Sequence, residues 1–324
     1  MASTDLQAGL RGGHDPDHWG HSLANVFELL GPLLDAVGTR SVAEVGAYAG
    51  DFTVDLLDWA SSSGARVVAI DPLPHADLEG LEERHPELEL IRTPSSEAFA
   101  TIEMPDAVII DGDHNYHTVS EELRWIGQRM DPSRGPLLLL HDVCWPHGRR
   151  DAYYAPDRIP EEGRADLVEG ATLMPGDPGL VFGGLPYKYA AAREGGPRNG
   201  VLTALEDFVS ATPGLSLAIV PIFFGLAVVW PEAAPWAGAV EEIVAPWDRN
   251  PILARLEANR VQQLALRHQR TTERNVARDR LERAERLLRA LEDSELLRLA
   301  ERYTRLRHRG RGVSWRQRVR EALE

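Results

Sequence analysis

The sequence predicts an α/β fold of the doubly wound type, a parallel sheet with helices on both faces. Three observations carry that prediction. Between residues 41 and 143, short and uniformly apolar stretches alternate with amphipathic ones, and uniform apolarity marks strands buried on both faces. Three of those stretches, AEVG (43–46), VAID (68–71) and VIID (108–111), run straight into a glycine or a carboxylate. Two further apolar stretches, LSLAIVP (215–221) and FFGLAVVW (223–230), are joined tightly at Pro221–Gly225, which reads as an antiparallel pair at the sheet edge.

In chain order, SLANVFELLGPLLDAV (22–37) has helical periodicity and stops before Gly38. SVAEVG (41–46) is the first strand, followed by a glycine turn and the helix FTVDLLDWASS. RVVAID (66–71) and the helix ADLEGLEERH come next, then LELIRT (88–93) and the short helix SSEAFATI. DAVIID (106–111) is the fourth strand, TVSEELRWIGQRM its helix, and PLLLLHDV (136–143) the fifth strand. Residues 144–200, rich in Gly, Pro and aromatics, show no periodicity and read as a substrate loop or lid. A helix, VLTALEDFVSA, leads into the antiparallel pair. The whole is a seven-stranded sheet, five parallel strands plus the closing pair, over residues 1–248. An Arg-rich helical tail covers 249–324.

Charge separates the two parts. Residues 1–248 carry 15 Lys/Arg against 39 Asp/Glu, whereas 249–324 carry 20 Arg against 11 Asp/Glu. An acidic body argues against nucleic acid as a partner, since duplex affinity rests on cations neutralising phosphates. The longest apolar run, LSLAIVPIFFGLAVVW, is broken by Pro221 and Gly225 and is too short to span a membrane. The N-terminal MASTDLQAGLRGGHDPDH lacks a signal-peptide pattern, and Cys144 is the single cysteine. The expectation is a cytoplasmic protein without disulfides, self-associating through the tail helix as a homo-oligomer.

Two strand edges carry chemistry. At the first, Glu44-Val45-Gly46-Ala47-Tyr48-Ala49-Gly50 departs from the dinucleotide fingerprint, because Tyr48 stands where the second glycine would approach a pyrophosphate. An ExGxxxG turn suits a bulkier, less anionic ligand. Asp71, ending the second strand, can accept both hydroxyls of a ribose, so the pair reads as a nucleoside site. Ser95, Ser96 and Glu97 either read an adenine edge or cap a helix.

At the second edge, Asp111 ends strand four, and His141 and Asp142 end its neighbour, strand five. Two carboxylates and an imidazole suit Mg²⁺, Mn²⁺ or Fe²⁺ with positions left for substrate oxygens. Asp113 would support the site from behind or face the substrate. His114 is placed to take a proton from a substrate hydroxyl. Arg149, Arg150, Tyr153 and Tyr154 are candidates to line an acceptor pocket. The two arginines could grip an anionic group, or serve as surface salt bridges.

EVGAYAG, VVAIDP and DAVIIDGDHNYHTV resemble the successive motifs of class I S-adenosylmethionine-dependent methyltransferases, over about residues 22–230. IDGDHNY followed by LLLLHDV further resembles the divalent-metal-dependent, macrocin-type sugar O-methyltransferases of natural-product biosynthesis. The resemblance implies a Rossmann-like sheet and S-adenosylmethionine as cofactor. Its methionine part would lie near Glu44, Gly46, Ala47, Tyr48 and Gly50, its ribose on Asp71 and its adenine near Ser96, with Asp111 facing it. It also implies a divalent metal, Mg²⁺ foremost, on Asp111, His141 and Asp142, although His141 replaces a carboxylate that most relatives carry. His114 falls where catechol enzymes place a lysine base. The acceptor would be a hydroxyl of a small molecule, a sugar or glycosylated compound. The rival expectations are a metal-independent O- or N-methyltransferase with His114 as base, and a non-catalytic scaffold acting through its tail.

Overall fold

The computed structural model describes residues 21–307 and 319. The N-terminal stretch read above for targeting signals and the end of the arginine-rich tail lie outside them. One sheet of seven strands dominates, in the order β3-β2-β1-β4-β5-β9-β8. It contains β1 (Ser41–Val45), β2 (Arg66–Ile70), β3 (Leu88–Ile91), β4 (Ala107–Ile110) and β5 (Leu137–His141), all mutually parallel, and the antiparallel β8 (Leu215–Val220) and β9 (Leu226–Pro231). The expected fold class holds, with β9 inserted beside β5 and β8 on the edge.

The uniform apolarity has its reason in two cores. Val42, Val67, Ala69, Ala107, Ile109, Leu137 and Leu139 face one side, and Ala43, Val68, Ile70, Val108, Ile110, Leu138 and Leu140 the other. Successive side chains of a strand point to opposite faces, so burial on both faces requires apolar residues at every position. The first face is covered by α1 (Phe27–Val37), α2 (Asp51–Ser63) and α7 (Ala237–Val244), through Leu30, Leu33, Leu56, Leu57 and Val240. The second is covered by α5 (Tyr116–Arg129) and α6 (Val201–Ala211), through Val119, Leu123, Ile126, Ala204 and Leu205. The connecting helices α3 (Ala76–Arg84) and α4 (Ser95–Ala98) are short. Gly38 ends α1 in the left-handed conformation that an L side chain avoids.

Two elements were not anticipated. Residues 144–200 contain an antiparallel hairpin, β6 (Leu167–Leu173) paired with β7 (Leu185–Ala191). Its first strand is interrupted by Gly170 and buries only Ala171 and Leu173, so no sustained two-residue alternation shows in the sequence. The other is α7, whose eight residues fall between the closing pair and the tail.

The tail is helical, as expected, in α8 (Pro251–Asp293) and α9 (Glu295–Arg307). The chain divides into two compact units between Ala265 and Leu266. Residues 251–265 of α8 belong to the first, where Val261 and Ala265 are buried. In the second unit, Arg278–Glu282, Arg286–Glu282 and Arg289–Glu285 pair at a spacing of four along an exposed helix surface. Such pairs add only a few tenths of a kcal/mol each. No helix among the described residues is long and apolar enough to cross a membrane.

Candidate active site

The turn after β1 is a backbone construction. Gly46 has φ +91° and its N–H donates to the Ile70 carbonyl. A Cβ there would collide with the Asp111 carbonyl and Gly112 Cα, so β4 approaches as closely as a glycine permits. Gly50, left-handed at φ +85°, opens α2, whose first-turn N–H groups face the sheet edge. Between them Tyr48 takes φ +41°, and its N–H donates to Asp71 Oδ2 at 2.8 Å. Leu73 N–H donates to Asp71 Oδ1 at 2.7 Å. Asp71 is thus fixed at the end of β2, 8% exposed, and each oxygen retains a further lone pair for a ligand hydroxyl.

Glu44 lies beneath this turn, buried, and accepts from Thr53 Oγ1 at 2.7 Å. Burial lifts its pKa to about 8, outweighing the Thr53 hydrogen bond, with Asp111 and Asp71 adding to the rise. Ala47 is buried and the Tyr48 ring is exposed, 6.0 Å from the His75 ring. Ser96 is exposed on α4, while Ser95 beside it is buried and donates to Glu122 Oε1 at 2.5 Å. Burial lifts Glu122 to about 8 as well.

At the ends of β4 and β5 the predicted group comes together. His141 Nδ1 lies 2.8 Å from Asp111 Oδ1 and 3.7 Å from Asp142 Oδ2. Its Nε2 lies 2.6 Å from the Phe223 carbonyl. His114 Nε2 lies 2.8 Å from Asp142 Oδ2. Asp142 adopts φ +60°, an uncommon conformation outside glycine. Burial alone would depress His141, but Asp111 and Asp142 outweigh it and lift its pKa to about 10. His114 is raised in the same way, burial being overcome chiefly by Asp142. Asp142 is held well below the carboxylate range because His114 and His141 outweigh its burial.

These residues fit a divalent ion. A carbonyl only accepts, so His141 Nε2 carries a proton toward Phe223, and Nδ1 faces a carboxylate. Something positive must lie there, either a second ring proton or a metal ion. An imidazole whose far N–H is held by a backbone carbonyl, beside two carboxylates, is an arrangement that orients metal ligands. Asp111, His141 and Asp142 offer ligand atoms that all lie within 4.8 Å of one another.

The Phe223 carbonyl is itself held in place. Phe223 and Phe224 have φ +46° and +67°, and their N–H groups converge on the Glu257 carboxylate at 3.1 and 2.8 Å. Arg260 donates two hydrogen bonds to Glu257, each 2.7 Å, and lies over the Phe224 ring. Successive N–H groups in such a turn form an anion-binding concavity, here filled by a side chain of α8.

Beside His114, the Tyr154 ring stands edge-on, with centroids 5.4 Å apart. Asp113 Oδ1 accepts from the N–H groups of His114 and Tyr154, so it shapes this loop. The structure does not bring Arg149, Arg150 and Tyr153 into the cluster. Arg149 pairs with Glu206 through two 2.7 Å contacts. The buried Arg150 donates to the carbonyls of Ala191, Pro178 and Gly179 and so ties the β6–β7 hairpin down. Tyr153 donates to Asp151, which also accepts from Tyr116 and Gly200 N–H.

His147, Tyr187 and Glu257 lie in or against the site and carried no candidate role in the sequence. His147 has its ring centroid 4.4 Å from that of His114 and 5.0 Å from that of Tyr187. Its one signal is a position six residues beyond His141, between Pro146 and Gly148. Tyr187 and Glu257 have no local signal, because only the hairpin and α8 deliver them.

Residues 43–143 match the family model described as a methyltransferase domain. No curated protein sequence matches the chain. Among solved structures, the chain is similar to the SAH-bound methyltransferase PaMTH1 of Podospora anserina at 15% identity, covering 67% of this chain and 82% of that one, TM-score 0.41. It is similar to an O-methyltransferase from Bacillus cereus in complex with SAH at 16% identity, covering 65% and 83%, TM-score 0.40. A third is TomG of Streptomyces achromogenes, an O-methyltransferase involved in tomaymycin synthesis, at 13% identity, covering 65% and 82%, TM-score 0.40. The family match over 43–143 spans β1 to β5 and takes in the Gly46 turn, so this stretch of the chain is similar to a methyltransferase domain.

Proposed function

We propose that the protein transfers a methyl group from S-adenosylmethionine to a hydroxyl oxygen of a small molecule, a sugar or a glycosylated natural product. The single observation that carries this reading is the convergence of Asp111, His114, His141 and Asp142 at the ends of β4 and β5, beside the Gly46 turn. The sugar class rests on the resemblance of IDGDHNY and LLLLHDV to macrocin-type enzymes.

In this reading the cofactor's methionine part lies along Gly46–Gly50 and its ribose hydroxyls bond to Asp71. Asp111, His141 and Asp142 would hold a divalent ion, Mg²⁺ in the first instance, which when bound lowers the pKa of an acceptor hydroxyl. His114 is the general base. Its Nε2–H is engaged by Asp142, which leaves Nδ1 as the proton-accepting atom, and Asp142 stabilises the imidazolium formed. Tyr154 and Tyr187 give the acceptor an aromatic wall. Most of the rate would come from holding the hydroxyl oxygen in line with the methyl group and the departing sulfur. In this reading the catalytic domain, expected over 1–248, extends into the first turns of α8, and the rest of the 249–324 tail joins copies of a cytoplasmic enzyme.

A metal-free version has one observation in its favour. A doubly protonated His141, donating to both Asp111 and Phe223, would itself supply the positive charge between the carboxylates. Calorimetric titration with S-adenosylmethionine, with and without Mg²⁺ or Mn²⁺, on wild type and Asp111→Ala, tests both versions. Cofactor binding with a metal signal that vanishes in the variant supports the metal-assisted version. Cofactor binding without any metal response selects the metal-free one. Absence of cofactor binding would sink the proposal.

A further inference from the structure

His147 borders this cluster. It is 5% exposed, and neither ring nitrogen makes a hydrogen bond among the described residues. Its contacts are two rings, His114 and Tyr187. Yet one of its nitrogens, one of His114 and an Asp142 oxygen all lie within 4.8 Å of one another.

We infer that His114, Asp142 and His147 form a second divalent-metal seat, which shares Asp142 with the first and selects a nitrogen-preferring ion such as Zn²⁺ or Co²⁺. The two seats differ in chemistry. Asp111, His141 and Asp142 present two carboxylates and one imidazole, whereas His114, Asp142 and His147 present two imidazoles and one carboxylate. Hard ions favour the former; borderline ions are drawn to imidazole, and three protein ligands plus water complete a common zinc geometry. An ion in the second seat takes the place of the proton between His114 Nε2 and Asp142, and the neutral ring then carries its one proton on Nδ1, the atom that would otherwise accept one. His114 is then a ligand and no longer a base. On the proposed reaction, Zn²⁺ at this seat is therefore an inhibitor acting at the proton-accepting residue. That consequence rests on the function proposed above, but the binding itself does not.

The test uses the full chain, stripped of metal and loaded with one equivalent of Zn²⁺, and counts histidine ligands by X-ray absorption at the zinc edge. Two imidazoles are expected; one imidazole, or no bound zinc, overturns the inference. Competition titration supplies a second measure. His147→Gln should weaken Zn²⁺ roughly a hundredfold, the upper range for loss of a supporting ligand interaction, and Asp111→Asn should leave it tight. The opposite pattern, loss in Asp111→Asn and retention in His147→Gln, places the ion in the first seat and also overturns the inference. S-adenosylmethionine titration of the same samples is independent of zinc, so failure of the second seat and failure of the methyl-transfer reading are separately visible.

Discussion

The two halves of the sheet edge are built by different means. Around β1 and β2 the main chain does the positioning: Gly46, Tyr48 and Gly50 take left-handed conformations, and backbone N–H groups fix Asp71. Around β4 and β5 side chains do it, in a network of three imidazoles and two carboxylates, of which His141, Asp142 and His147 are buried, with supports from residues 187, 223 and 257. A main-chain site depends on steric room. A side-chain site depends on every charge having its partner, since removing one member leaves another buried and uncompensated.

The largest expected effect breaks the first half. Gly46→Ala drives a Cβ into the Asp111 carbonyl at a φ that alanine avoids, and should cost several kcal/mol in urea denaturation. Gly38→Ala, also left-handed but with open space around it, should cost only about 1 kcal/mol. Equal costs for the two would mean that β4 can retreat from the turn.

Next comes the second half. Asp142→Asn leaves His114 and His141 without their shared counter-charge, and should destabilise the fold by about 3 kcal/mol at neutral pH. A loss below about 1 kcal/mol in the same denaturation would show that the imidazoles simply discharge.

A third, pH-dependent effect sharpens the contrast with Glu122, a buried acid outside the charged cluster. Its folded pKa, raised to about 8 by burial, exceeds the unfolded value near 4.5. The native state therefore binds the extra proton between those limits, and stability falls as pH rises from about 4.5 to 8. Glu122→Gln should be close to wild type at pH 4.5 and more stable by a few kcal/mol at pH 8.5. A pH-independent difference in melting temperature would contradict this. The smallest effect belongs to Arg149→Ala, which removes an exposed pair with Glu206. It should change stability by less than about 1 kcal/mol and leave S-adenosylmethionine binding intact; weakened binding would return Arg149 to the site.

The same division explains what could be read in advance. The half at β1 and β2 is local: EVGAYAG and VVAID carry their own glycines and acid, and a parallel sheet places the ends of neighbouring strands side by side. Asp111, His141 and Asp142 were legible for that reason. Arg149 takes the surface salt-bridge alternative that the sequence left open, while Arg150 and Tyr153 turn away from the cluster because a loop sequence does not say which way it faces; Arg150 spends its guanidinium on three carbonyls of the hairpin. His147 stayed hidden because its neighbours are set by tertiary packing. The hairpin was missed because β6 buries only Ala171 and Leu173 and is interrupted at Gly170.

The Glu257 carboxylate has a consequence for where this protein can be divided. A chain cut after the acidic body, at residue 248, would look complete by charge and by strand count. It would nonetheless strip the Phe223 and Phe224 amides, on two left-handed residues, of their acceptor. The carbonyl that orients His141 would go slack with them. The first turns of α8 thus belong with the cluster at the ends of β4 and β5, and the modular joint of the polypeptide falls beyond them, after Ala265.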